Sequence, residues 1–277
     1  MAQGEAAPAI ARNLADAGVI AHPRVLRLLW RVSGTGGDIP AGAYRFAGPI
    51  WLPTVAWRLA RGAHGIPPTR ITFAEGTTVL DMAGKIAKAF PEISAPDFIS
   101  AAQPYEGYLF PDTYTFEPSA SAESITETLR DTFDAKMVRL SSDILASGHS
   151  LSDIVILASI VEREARTETD RHMIAGIMWN RIEKGMPLQV DAVFGYIYSR
   201  QTYSPSYHDL GVDSPYNTYR HKGLPPGPIS NPGLSSIGAA LHPTKTAYLF
   251  YLTGRDGLMH YATTYAGHTK NLRTYLR

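Results

Sequence analysis

Apolar and polar positions follow a helical period over most of this chain, most clearly in residues 151–166, LSDIVILASIVEREAR. Leu151, Ile154, Val155 and Ala158 recur at helical spacing, and Glu162 and Ala165 continue the same stripe. Ser150, three residues ahead of Asp153, supplies a capping start. At about 100° per residue, Glu162 and Glu164 point roughly 200° apart and cannot share one site. Glu162 thus falls where the pattern calls for an apolar residue. A carboxylate there is costly unless it is paired or its pKa is raised. A raised pKa suits a general acid near neutral pH and a nearby Arg suits a buried ion pair; the helix alone leaves both readings open.

The rest of the pattern predicts a short helix over residues 10–18, closed by Gly18, and a second over 23–32 with Val25, Leu28, Leu29 and Val32 facing inward. A glycine-rich loop at 33–38 leads to a strand around 42–46, and that loop lacks the Gly-Lys-Ser/Thr ending of a phosphate cradle. Helices are expected at 54–61, 78–90 and 96–102, a linker at 64–69 and a strand at 70–73. The 78–90 helix turns Val79, Met82, Ile86 and Phe90 to one side. One long amphipathic helix covers 121–147, with Ile125, Leu129, Phe133, Met137, Leu140 and Ile144 in its stripe. After a helix at 170–184, residues 203–232 form a long polar and aromatic loop. Its prolines lower the entropy of the unfolded chain, so the loop is expected to be ordered and functional. A short helix at 234–240 and a hairpin joining 247–253 to 260–263 across the 254–257 turn complete the reading. The fold class is α+β.

Composition changes this picture little. The 277 residues, 44% hydrophobic and 18% charged, are enough for one large domain or two modest ones. A net charge of +1 gives no hint of nucleic acid. With no cysteine there is neither disulfide nor thiolate chemistry. The nine histidines form no HExxH or tight His/Asp cluster, so no metal and no cofactor is expected. No Gly-x-Ser-x-Gly elbow is present. No run reaches the ~18 apolar residues of a membrane helix, and the chain is expected to be soluble with a trimmed N-terminus.

Candidate chemistry therefore rests on carboxylates: Glu162, with Glu106, Asp112 and Asp191 as companions. Residues 105–116, YEGYLFPDTYTF, set aromatic rings among acids, which suits either a sugar-binding wall or a hydrophobic wedge. Glycoside cleavage commonly pairs an acid with a second carboxylate, but a single acid suffices where the substrate supplies its own nucleophile.

Five motifs in order, EGYLFPDTYTF (106–116), ASIVEREA (158–165), MPLQVDAV (186–193), SPYNTYRHKGLPPGPISNPG (214–233) and AALHPTKTAYLFYL (239–252), resemble the YceG/MltG family of endolytic murein transglycosylases. The resemblance implies a lyase that cuts the MurNAc–GlcNAc bond of nascent peptidoglycan strands and leaves 1,6-anhydroMurNAc ends. It implies Glu162 as catalytic acid, and Glu106, Tyr108, Asp112, Gln189, Asp191, Asn217 and Tyr219 as substrate-binding residues. Glu164, Arg163 and Arg181 would orient Glu162 or bridge helices. It further implies a LysM-like module over residues 1–69, incomplete at its N-terminus, and a catalytic domain over 70–277; the pattern of elements itself suggests a second strand–helix–helix subdomain at 70–104. Peptidoglycan is the implied partner, with peptidoglycan synthases as a further one. The implied location is the outer face of the cytoplasmic membrane, to which the family is held by an N-terminal anchor helix expected to be absent or trimmed here. A two-carboxylate muramidase, dependent on Asp112 or Asp191, and a non-catalytic murein-binding scaffold are the alternatives.

Overall fold

Ser150 Oγ accepts from Asp153 N, as its spacing predicts, and starts the helix that becomes the centre of the larger unit. A computed structural model describes residues 1, 4–34, 39–47, 50–201 and 203–276 of the chain. In chain order it holds α1 (Ala7–Asp16), α2 (Pro23–Ser33), α3 (Leu52–Ala60), β1 (Thr69–Thr72), α4 (Val79–Ala89), α5 (Ala95–Ala102), β2 (Thr113–Phe116) and α6 (Ala122–Arg139). Then follow α7 (Ser141–Ser147), α8 (Leu151–Glu164), α9 (Glu168–Glu183), α10 (Ala192–Ile197), α11 (Leu234–Leu241), β3 (Phe250–Thr253), β4 (Met259–Ala262) and α12 (Tyr265–Tyr275). Strands β1 and β2 form one two-stranded sheet, and β3 and β4 form an antiparallel hairpin in which Tyr251 faces Tyr261. The fold is α+β. No single helix among the described residues is long and apolar enough to cross a membrane.

The chain divides into two compact units, the first made of Met1–Ile71, Lys85–Ser94 and Thr113–Ile125. There α1, α2 and α3 meet through Ile10, Leu14, Leu26, Trp30, Val55 and Leu59. This corrects the orientation expected for α2: Leu26 and Trp30 are its buried residues, while Val25, Leu28 and Val32 are exposed. The stripe read from spacing was apolar but lacks a neighbour to cover it. The strand expected at 42–46 is not formed either. The N–H groups of Gly42 and Arg45 bond to the carbonyls of Met1 and His64, so no strand ladder develops. Residues 35–38 of the predicted glycine-rich loop lie outside the described residues.

The second unit comprises Thr72–Gly84, Ala95–Asp112 and Thr126–Arg277 and is built around α8. Residues Ile154 to Val161 are all buried, so α8 is a central helix enclosed on every side and not an amphipathic one. It is packed by α9 through Ile174, Ala175 and Met178 and by α11 through Ile237, Ala239 and Ala240. Trp179 Nε1 donates to the Ala240 carbonyl at 3.0 Å and ties α9 to α11. The single long helix expected at 121–147 is two: the backbone leaves helical dihedrals at Leu140, the N-cap of α7. The stripe from Ile125 to Met137 is buried as predicted, and Leu140 and Ile144 are only partly so. The predicted hairpin forms, and α12, which the apolar pattern did not reveal, packs on it.

Candidate active site

The end of α8 delivers two glutamates to opposite sides, as their spacing requires. Glu162 enters an ion pair: Arg171 Nη2 of α9 lies 3.2 Å from Oε1, and Gly233 N donates to Oε2 at 3.0 Å. Its side chain is 5% exposed, so this is the paired arrangement that makes a buried carboxylate tolerable. Glu75, exposed, brings a further carboxyl beside it; burial and then the Glu162 charge push Glu75 up, against the pull of Arg171. A Cβ at position 233 would meet the Glu75 carboxyl, the flexible end of an exposed side chain.

Glu164 faces a cavity of about 470 Å³ lined by Arg181, Gln189, Asp191, Tyr219, Tyr251 and His268, among others. Tyr251 Oη, from β3, donates to Glu164 Oε2 at 3.1 Å. Burial pushes the Glu164 carboxyl up, the Tyr251 hydrogen bond opposes this, and the charge of Asp191 adds to the rise. Its place as the last residue of α8, at the negative end of the helix dipole, also disfavours the anion. Across the cavity Tyr219 Oη donates to Asp191 Oδ1 at 2.6 Å. Arg181 is held by its Nε to the Leu249 carbonyl at 2.7 Å and lies over the Phe250 ring. Burial lowers it. Gln189 adopts φ 52°, a left-handed conformation rare for a side-chain-bearing residue, and its N–H donates to the Thr218 carbonyl. On α12, Tyr265, His268 and Leu272 share one face toward the cavity, and the buried Nδ1 of His268 has no hydrogen-bond partner there. Among the described residues no group of three or more His, Asp and Glu side chains is placed to hold a metal ion.

The YceG-like family model matches residues 1–274. The chain belongs to this family. It is 33% identical to the endolytic murein transglycosylase of Bacillus subtilis, over 99% of this chain and 83% of that protein. It is also 31% identical to the endolytic murein transglycosylase of Streptococcus pneumoniae, over 62% of this chain and 32% of that protein. The crystal structure of a yceG-like protein from Listeria monocytogenes superimposes with a TM-score of 0.68 at 30% identity, covering 98% of this chain and 97% of that one.

The remaining YceG-family motif residues separate by location. Gln189, Asp191 and Tyr219 gather in the Glu164 cavity and not around Glu162. Glu106 lines a different cavity, of about 190 Å³, with Asp81, Gln103, Arg163, Tyr196 and Arg200. Its carboxylate accepts from Val79 N at the start of α4 and from Asn231 Nδ2 at 2.9 Å. Burial lifts it to about 7. Asn217 is fully buried; its Nδ2 donates to the carbonyls of Leu210 and Val212, and its Oδ1 accepts from Tyr219 N. Tyr108 packs edge-on against Phe133 in the core, and Asp112 is exposed, its carbonyl accepting from Phe73 N. Sequence reasoning passed over Tyr251, His268 and Asn231. Asn231 alone joins the Gly107 and Leu109 N–H groups, the Thr77 carbonyl and Glu106. It lies in the 214–233 motif, but an Asn in an SNPG turn reads as ordinary turn chemistry.

Proposed function

We propose that this protein is an endolytic peptidoglycan lytic transglycosylase of the cell envelope, and that Glu164 is its acid–base residue. The observation that carries the assignment is the cavity at the end of α8. It sets a carboxyl that burial pushes up from its ordinary value among Tyr251, Asp191, Tyr219, Gln189 and Arg181. Glu162, which both the helical stripe and the family motif select, has its oxygens engaged by Arg171 and Gly233, and this pairing favours the ion-pair reading for it.

In this reading protonated Glu164 donates to the oxygen between MurNAc C1 and GlcNAc C4 as the C1–O bond breaks, and the GlcNAc hydroxyl leaves with that proton. The C6 hydroxyl of the same MurNAc attacks C1, and its proton passes to the Glu164 carboxylate, restoring the acid. No water is consumed and no cofactor is required. Tyr251 holds the carboxyl in place through the whole cycle, and Asp191, fixed by Tyr219, sets negative charge near the oxocarbenium-like centre.

Glu164→Gln should lower strand cleavage roughly a hundred- to ten-thousand-fold with the fold intact. Glu162→Gln should lower stability and leave turnover per folded molecule within a few-fold of the parent. The reverse pattern, a silent Glu164→Gln and an inactive but stable Glu162→Gln, returns the role to Glu162. A hydrolytic muramidase is the second reading, because Asp191 shares the cavity with Glu164 and could serve as base or nucleophile. It predicts reducing ends, abolished by Asp191→Asn.

A further inference from the structure

Helix α2 divides into three faces. Leu26 and Trp30 are buried against α1 and α3. Val25, Leu28 and Val32, at i, i+3 and i+7, form a second face and are 45, 57 and 80% exposed. Arg24, Arg27 and Arg31, with the same spacing one residue earlier, form a third face beside it, all exposed and without a carboxylate partner among the described residues. On α3 of the same unit Trp51 and Trp57 are 77 and 53% exposed, and Arg61 lies over the Trp57 ring.

Charge is unevenly placed along the chain. Residues 1–71 hold eight arginines and no lysine against Glu5, Asp16 and Asp38, leaving 18 cations against 22 acids in the remainder. A near-neutral protein therefore carries a distinctly basic N-terminal segment.

We propose that the α2 face is a docking surface for an anionic lipid bilayer, with Val25, Leu28 and Val32 entering the headgroup–acyl boundary and Arg24, Arg27 and Arg31 pairing with lipid phosphates. A folded soluble helix seldom leaves an apolar row open to water, and a row flanked by a basic one matches an interfacial helix. Arginine, with its flat fork of donors, suits phosphate, and exposed tryptophan suits the interface. Glycan or a protein partner explains the arginines or the valines, but a bilayer explains the two rows together.

The test is cosedimentation of the whole chain with vesicles of phosphatidylcholine alone and with phosphatidylglycerol added, at low and high salt. Binding is expected only to the anionic vesicles and should weaken with salt. The triple change Arg24→Gln, Arg27→Gln, Arg31→Gln should weaken it on the order of a hundredfold. The pair Leu28→Ser, Val32→Ser should reduce it at least tenfold. Circular dichroism checks folding, and cleavage of soluble strands should stay unchanged in both variants, which separates this surface from the active-site assignment. Absence of binding, equal binding to neutral vesicles, binding indifferent to both variants, or self-association abolished by Val32→Ser without vesicle binding overturns the proposal.

Discussion

At the scale of single residues the chain shows how two carboxyls two positions apart acquire different work. Glu162 meets a guanidinium, a backbone N–H and the Glu75 carboxyl; Glu164 meets a phenol, the Ala192 backbone and, in a cavity, Asp191. Because burial raises the Glu164 carboxyl, the acid needed for the first step persists above the ordinary glutamate range and is lost as pH rises past its folded value. Cleavage should therefore fall on its alkaline limb, and Tyr251→Phe, which removes a hydrogen bond to the anion, should move that limb to higher pH. A pH–rate profile of the parent and the variant checks both. Glu106 makes a separate prediction for stability. Its folded value near 7 exceeds the ordinary 4.5, so the folded chain binds the proton more tightly than the unfolded one between those values. Stability should fall as pH rises from about 4.5 to 7, by up to about 3 kcal/mol from this group. Denaturant unfolding at pH 5 and 8 should show this loss, and Glu106→Gln should flatten it.

At the scale of elements, capping and turn chemistry decide where helices start and how loops hold. Ser150→Ala removes the cap of α8 and should cost about 1 kcal/mol. Asn231→Ala strips four buried hydrogen bonds from one loop and should cost several times that, roughly 3–5 kcal/mol; both are read by chemical denaturation. Elements with a strong apolar period were legible: the buried rows of α4 and α6 stand where their spacing put them. The α2 row was legible as a row but not as exposed, since periodicity reports apolarity and not the presence of a neighbour. Helix α12 was missed because its cavity face is Tyr265, His268 and Leu272, largely polar, although Thr264 caps it by accepting from Gly267 N. The long loop is ordered, yet the prolines are only part of the cause. Asp209 accepts from Tyr198, Tyr203 and Ser206, and Asn217 spends its amide inside the loop. Such side-chain clips have no periodicity to read.

At the scale of the whole molecule, the motifs at 158–165, 186–193, 214–233 and 239–252 lie in the second unit, whose core is α8, while the 106–116 motif passes from the second unit into the first at Thr113. Chain order placed those motifs in one family, but only three dimensions separate the Glu164 cavity from the Glu162 ion pair. The helical wheel puts the two glutamates on different sides and singles out Glu162 on the apolar stripe; it carries no sign of the cavity beside Glu164. The most direct test is mass spectrometry of glycans released from purified peptidoglycan by the parent protein and by Glu164→Gln. The parent should release products one water lighter than hydrolysed strands, and a folded Glu164→Gln protein should release none. Reducing-end products from the parent, or undiminished anhydro products from Glu164→Gln, would contradict this.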